Sequence, residues 1–337
     1  MKERAPLVSV LMATYNYGRF LPEAIESVLA QRMGDFELIV GDNASTDHTP
    51  EILRAYAGRD PRVKPFCNRV NVGITANFNR CYQRASPHSK YFLLLPADDR
   101  LTPDALEALV EIAERHPEVA VVHADAYRTT SNGRVLNTYT QMVHSPIAPG
   151  VHQAARALYR TNYIPAQVAL VSRAWFQRLY PEPLPLADDL VYASDYHLWL
   201  QIFSRGGRGY YLPRQLAYIR KHERAHTIEA NIVPRLLEER YIFEHKLKGV
   251  CPPELEEERV RAIAVRTASL GFVHLRRGQV ERAGFWLSQA LRYTTSPRRD
   301  LTVARWIAGL PAPRWVRAQL WRLAEVGGRL WSRRASA

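Results

Sequence analysis

The chain is 337 residues long, a length that suits two domains better than one small module. Apolar residues make up 47% and charged residues 23%, a balance that buries a large core and excludes global disorder. The formal net charge of +13 attracts polyanions without specifying which, but from Cys251 onward sixteen Arg face seven Asp or Glu, so most of the excess belongs to the last quarter of the chain.

Leu7 to Met12 and Phe36 to Val40 are apolar runs rich in β-branched residues and predict strands, with a helix between them over Phe20 to Gln31. The alternation goes on with a helix after Thr49, a strand near Arg62 to Cys67, a helix over Ile74 to Arg84 and a strand over Tyr91 to Leu95. A helix over Thr102 to His116 and a strand over Val119 to His123 follow. Thr102 before Pro103 reads as that helix's N-cap. From Asp125 to Gly150 a hairpin and connecting loop are expected, with Ser131, Asn132 and Gly133 as its turn. After them come a helix over Val151 to Arg160, a strand over Gln167 to Val171, a helix over Ser194 to Ser204 and a strand near Tyr210 and Tyr211. The pattern predicts an α/β fold, a mostly parallel sheet flanked by helices over residues 1–228. Beyond Glu229 it turns helical, and Gly278 punctuates a helix-turn-helix of tetratricopeptide type. In the tail, Arg314 to Trp331 places Val316, Leu320, Leu323, Leu330 and Trp331 on one helical face and four Arg on the other. Residues 313–334 therefore read either as a contact with an anionic membrane surface or as a helix packed on the hairpin.

No run approaches the ~18 apolar residues of a membrane span, and no apolar leader follows Met1 to Val8, so a cytoplasmic protein is expected, peripheral at most to the membrane. Cys67, Cys81 and Cys251 have no ligand spacing and cannot all pair, which fits a reducing compartment. No recognition motif accompanies the basic charge, so no nucleic acid is expected as a partner.

In open α/β sheets ligands bind beyond the carboxyl ends of strands. Three predicted strands end in similar polar clusters: Ala13-Thr14-Tyr15-Asn16, Asp42-Asn43-Ala44-Ser45-Thr46-Asp47 and Pro96-Ala97-Asp98-Asp99. Asp47 also reads as helix capping. Asp98 and Asp99 do not, and two adjacent carboxylates repel unless a divalent cation such as Mn²⁺ or Mg²⁺ answers them. With no phosphate-binding glycine loop anywhere, a nucleotide must be held by that metal and by side chains.

These clusters, with Val8-Ser9-Val10, Asn71-Val72-Gly73 and Asn77, and Ser194-Asp195-Tyr196-His197-Leu198-Trp199-Leu200, resemble the family 2 glycosyltransferases over roughly residues 6 to 225. The resemblance implies an inverting, metal-dependent hexosyltransferase of the GT-A fold, acting in cell-surface polysaccharide synthesis. Its donor would be a nucleotide-diphosphate sugar, UDP foremost, and its acceptor a carbohydrate or lipid-linked hydroxyl. It further implies that Thr14, Tyr15 and Asn16 border the nucleotide, that Asp42 bonds the base, that Asp98 and Asp99 touch ribose and metal, and that Asp195 is the catalytic base. Asn77 belongs to the same motif set. His222 is a further candidate for metal or diphosphate, and Arg69 and Lys221 for the diphosphate. Departures are Asn43 and Ala44 where the family carries Asp and Gly, Pro96 for a frequent acid, and Ser194 for Glu. The rival readings are a catalytically idle carbohydrate- or partner-binding protein and a nucleotidyltransferase, whose Gly-rich loop is missing from Thr14 to Phe20.

Overall fold

The computed structural model describes residues 5–144, 147–179, 184–223, 225 and 229–293. The tail segment expected to be amphipathic, Arg314 to Trp331, lies outside them. Contacts within the chain cluster into two units, residues 1–228 and 229–337.

In the first unit, β1 (Val8–Thr14), β2 (Phe36–Asp42), β3 (Val63–Cys67) and β4 (Tyr91–Leu94) pair in parallel in the order β3-β2-β1-β4. They are linked by α1 (Leu21–Leu29), α2 (Thr49–Arg59) and α3 (Ile74–Arg84). Every residue of β1 and β2 is buried, the mark of strands covered on both faces. On α1, Leu21, Ala24, Ile25 and Val28 recur at helical spacing and are the buried residues. Each large one removed from water is worth about 1.5–3 kcal/mol. The chain continues through β5 (Arg100–Leu101), α4 (Ala105–Arg115), β6 (Val121–Thr130), β7 (Val135–Thr138), α5 (Tyr139–Val143), β8 (Gly150–His152) and α6 (Ala155–Arg160). It ends this unit with β9 (Ala169–Ser172), α7 (Arg173–Leu179), α8 (Ser194–Ser204) and β10 (Gly209–Lys221).

The sheet runs on from β4 as β9-β6-β10-β5, with β7 on β6 and β8 on β10. The sheet is mostly parallel, as expected, but in this half the pairing is mixed. Only β10 pairs in parallel, with β6, whereas β9 is antiparallel to both β4 and β6, and β5, β7 and β8 are antiparallel additions. This half is mixed because β9 and β7 run antiparallel to their neighbours and because the short strands β5 and β8, unsignalled by any apolar run, pair antiparallel along the long β10.

Other boundaries move for local reasons. Val151 is a strand residue facing Tyr210, so the helix expected from Val151 starts at Ala155. Thr102 is not the cap of α4: its hydroxyl bonds Asp104 Oδ1 (2.7 Å), and Asp104 occupies the cap position. β10 is far longer than the Tyr210–Tyr211 signal because Pro213 sits in a register shift between Leu212 and Gln215, which lets the strand pass a residue that cannot donate to the ladder.

The second unit holds α9 (Ile232–Tyr241), continued by a π-turn over Ile242–Lys246, then α10 (Glu256–Arg276) and α11 (Val280–Leu291). Gly278 turns the last pair with φ +71°, where a side chain would be strained. Gly271 lets the two helices touch, since a Cβ there would stand 2.6 Å from Leu287 Cγ.

A pair of imidazoles meets between β6 and β8, His123 buried and His152 half-buried. His123 Nε2 lies 2.9 Å from His152 Nε2, with Tyr211 stacked on His123 and Phe203 on His152. Burial, and then the neighbouring His152, holds His123 well below the usual imidazole range; burial takes His152 to about 4. Both rings therefore stay neutral when folded, while the unfolded chain takes up protons below about pH 6.5. Stability will rise with pH up to that value and be lost as pH falls toward 4, by at most about 1.4 kcal/mol per pH unit for each ring. Urea midpoints at pH 7 and 4.5 will show this loss, and it will shrink in the double variant His123→Leu, His152→Phe.

Candidate active site

Thr14, Asp42 and Cys67 are register partners at the carboxyl ends of β1, β2 and β3, so their side chains share one face of the sheet edge. Asp42 is buried; its Oδ1 accepts the Ser45 N–H (3.1 Å) and its Oδ2 takes the Cys67 thiol (3.4 Å). Thr14 is buried too, and its hydroxyl has no hydrogen-bond partner among the described residues. Tyr15 and Arg69 are exposed.

The loops after β1 and β2 are sewn together. Asn16 donates its N–H to Ser45 Oγ (2.9 Å) and accepts the Thr46 N–H at Oδ1 (2.8 Å), while Gly18 donates to Asp47 Oδ2 (3.0 Å). Burial would raise the Asp47 carboxyl, yet the Thr49 side chain and then the N–H groups of Thr49 and Gly18 outweigh it and hold it below the usual range. Asp47 thus bridges loops as well as capping. Asn16 and Ala44 take left-handed backbone, φ 53° and 62°. At Ala44 the family's glycine would carry no strain.

Asn43 is the hub that sequence reading counted only as a lost carboxylate. Buried, it accepts from Asn68 Nδ2 (3.1 Å) and the Val72 N–H (2.9 Å) at Oδ1, and donates through Nδ2 to Asn71 Oδ1 (2.8 Å) and the Gly73 carbonyl (3.2 Å). A carboxylate could accept but never donate, so the departure from Asp has a structural use. The density of Asn at positions 68, 71 and 77 was the available signal. Asn77 joins this network: it is 1% exposed, donates to the Gly41 carbonyl (2.7 Å) and accepts from Asn68 (2.9 Å). It holds α3 against β2. Gly41 permits that approach, because a Cβ there would lie 2.5 Å from Asn77 Oδ1.

At the loop after β4 the adjacent carboxylates part company. Asp98 Oδ2 stands 2.9 Å from His222 Nε2, beyond the end of β10. The imidazole is packed between Tyr17 (centroids 5.6 Å, 79°) and Phe20 (4.7 Å). Asp99 turns the other way: Oδ1 accepts the Arg220 N–H (2.8 Å) and Oδ2 accepts Gln167 Nε2 (2.6 Å). Burial, and then the charge of Asp98, pushes the Asp99 carboxyl well above the usual range. Repulsion is relieved by separation and by this shift, so the expected metal trio of Asp98, Asp99 and His222 does not converge. Among the described residues no group of three or more His, Cys, Asp or Glu is placed to hold a metal ion.

On α8, ten of eleven residues are buried and Asp195 is the exception. It sits in the first turn rather than at the cap, which is Ala193, and its Oδ1 accepts the Tyr196 N–H (2.7 Å). The chain leading into α8 is tied to α3. Asn79 donates to the Leu186 carbonyl (2.7 Å) and to Asp188 Oδ1 (2.7 Å), and the Thr75 hydroxyl donates to the Leu190 carbonyl. Asp188 is exposed, and this bond from Asn79 is what orients its carboxylate.

Asn43→Asp will strand the Asn71 and Gly73 acceptors and cost about 1–3 kcal/mol, measured as a lower urea midpoint. Asn43→Ser, which keeps one donor, will cost less.

Residues 9–179, half of the chain, match the family described as glycosyl transferase family 2. EpsE of Bacillus subtilis is 29% identical over 217 residues, which are 64% of this chain and 73% of EpsE. The crystal structure of S. aureus TarS superposes with a TM-score of 0.63 at 18% identity, over 87% of this chain and 50% of that one; TarS 1–349 is also solved with UDP. The mannosyltransferase PcManGT of Pyrobaculum calidifontis, solved with GDP-Man and Mn²⁺, gives 0.56 at 18% identity over 98% and 88% of the two chains. At such identities the two structures speak for the fold alone, and this chain spans half of TarS. With the family match over half its length, the chain belongs to glycosyl transferase family 2 and has its GT-A fold.

Proposed function

We propose that residues 1–228 are a catalytic domain that moves a sugar, with inversion, from a nucleotide-diphosphate sugar to a hydroxyl of a carbohydrate or lipid-linked acceptor, in cell-surface polysaccharide synthesis. The observation that carries this reading is the Asp98–His222 pair, which brings a carboxylate and an imidazole from distant parts of the chain to 2.9 Å at the sheet edge. The unpartnered Thr14 hydroxyl beside Asp42 supports a ligand there, since a buried polar group without a partner costs about 1–3 kcal/mol. Thr14, Tyr15 and Asn16 border the nucleotide, Asp42 bonds the base, and the exposed Arg69 and Lys221 serve the diphosphate. TarS 1–349 solved with UDP and PcManGT with GDP-Man support a donor of this class, UDP foremost.

The Asp98 carboxylate suits Mn²⁺ or Mg²⁺, ions that bind few protein ligands and take their remaining positions from water and substrate oxygens, and the imidazole beside it favours Mn²⁺, the softer of the two. Asp98 and His222 would hold it. When bound, such an ion supplies Lewis-acid neutralisation of charge on a leaving diphosphate. Asp195 takes the proton of the acceptor hydroxyl as that oxygen bonds the sugar's anomeric carbon and the bond to the diphosphate breaks. Backside attack in one displacement inverts the carbon. Residues 229–337 form an accessory module, helical in its described part 229–293, and the basic segment 313–334 makes peripheral contact with an anionic membrane.

Asp195→Asn keeps the oxygen that accepts the Tyr196 N–H but removes basicity. Transfer will fall about 10²–10⁴-fold with UDP affinity unchanged, and a fall of less than about tenfold would overturn the base assignment. The two carboxylates after β4 separate in calorimetry: Asp98→Ala will lose Mn²⁺-dependent UDP binding, while Asp99→Asn, which can still meet Arg220 and Gln167, will retain it. Equal losses would return Asp99 to the metal site.

A further inference from the structure

Arg220 occupies the heart of this site without any motif having pointed to it. It is 8% exposed and is the penultimate residue of β10. Its main-chain N–H holds Asp99, and its guanidinium spends one nitrogen on each of three segments. Nε donates to the Asp98 carbonyl (3.1 Å), Nη1 to the Ser131 carbonyl in the β6–β7 turn (3.1 Å), and Nη2 to Glu23 Oε2 at the start of α1 (2.6 Å). The guanidinium carbon also lies 4.8 Å from the centroid of Phe20, the ring that packs at 4.7 Å on His222.

We infer that Arg220 is a positioning residue that sets where the Asp98–His222 pair stands, and is not a ligand of the donor. A cation serving a diphosphate directs its fork into the cleft. Here all three guanidinium nitrogens are bonded to protein, two of them to backbone carbonyls. The planar fork fixes the directions of these bonds at once, which a lysine ammonium on a flexible stem cannot do. It clamps the Asp98 loop, the β6–β7 turn and the α1 start into one frame, and the Phe20 ring carries that frame to the imidazole. Without it the Asp98 and Ser131 carbonyls lose a donor and Glu23 loses the nearer of its two cations, keeping only Arg100 at 3.8 Å, so the pair loses its fixed separation. This rests on the proposed donor role of the pair only for its consequence in binding.

The test uses the full chain with Arg220→Lys, Arg220→Gln and the milder Glu23→Gln, and as control Phe176→Leu, a destabilising change among the rings of Tyr82 and Phe92. In metal-free protein the ring signals of His222, identified by their loss in His222→Gln, are followed by NMR. They will shift in Arg220→Lys and Arg220→Gln, shift less in Glu23→Gln, and stay in place in the control. Mn²⁺ with UDP will bind at least about tenfold more weakly to Arg220→Lys, although the charge is kept. Unmoved His222 signals in the Arg220 variants would overturn the inference, as would binding restored by Arg220→Lys, which would make Arg220 a charge for the diphosphate. A wild-type chain that binds neither Mn²⁺ nor UDP would refute the proposed function and leave the NMR shift as the test of positioning.

Discussion

The contact between Asp98 and His222 joins residues 124 apart in sequence and ties the loop after β4 to the end of β10. Such a pair is a weak source of stability, because removing a carboxylate and an imidazole from water costs most of what their attraction returns. The surroundings therefore have to hold it: Tyr17 and Phe20 enclose the ring, Asp99 is drawn away to Gln167 and the Arg220 backbone, and Arg220 fastens the loop. The mixed half of the sheet follows the same constraint. β10 must run past Pro213 and pair with β5 for His222 to arrive beside Asp98.

A second frame, made mainly of amides, stands at the ends of β2 and β3. Asn43, Asn68, Asn71 and Asn77 each donate or accept toward one another or toward backbone, and the Arg80 guanidinium donates to Asn68 Oδ1 (2.7 Å), which together fix the loop that precedes α3. Amides suit this place because they bridge acceptors and donors together and add no charge beside Asp42. The left-handed Ala44 shows the tension in the arrangement. A turn that glycine would make without strain is kept by an alanine whose neighbours, Ser45 and Thr46, are both bonded to Asn16.

Much of this was legible in the sequence. The parallel strands were marked by apolar runs, α3 and α8 fell where their periodicity placed them, and the polar clusters at strand ends carried the family resemblance. What stayed hidden depended on partners far along the chain. β5 is two residues long and β8 three, too short to leave a period, and both exist only as pairs of β10. Adjacent Asp98 and Asp99 read as twin ligands because sequence shows neighbours but not directions. The place of Asn77 in the amide frame stayed hidden because motif membership does not reveal burial or partners. Arg220 went unseen because one arginine among 46 basic residues stands out only when its guanidinium is followed to three separate segments.

α8 shows how the fold separates precision from access. Its body is buried through Leu198, Trp199 and Ile202, which fix the helix axis, and its approach is tied to α3 through Asn79 and Thr75. Both tethers start from the helix that the amide frame holds in place, so the loops around Asp42 and the start of α8 share one support. Asp195 stands at the end of that support as the one residue of the helix that is not buried. A side chain in the first turn of a rigid, buried helix has little freedom to drift and still meets solvent. Those are the two properties that a carboxylate must combine if it is to meet a hydroxyl arriving from outside.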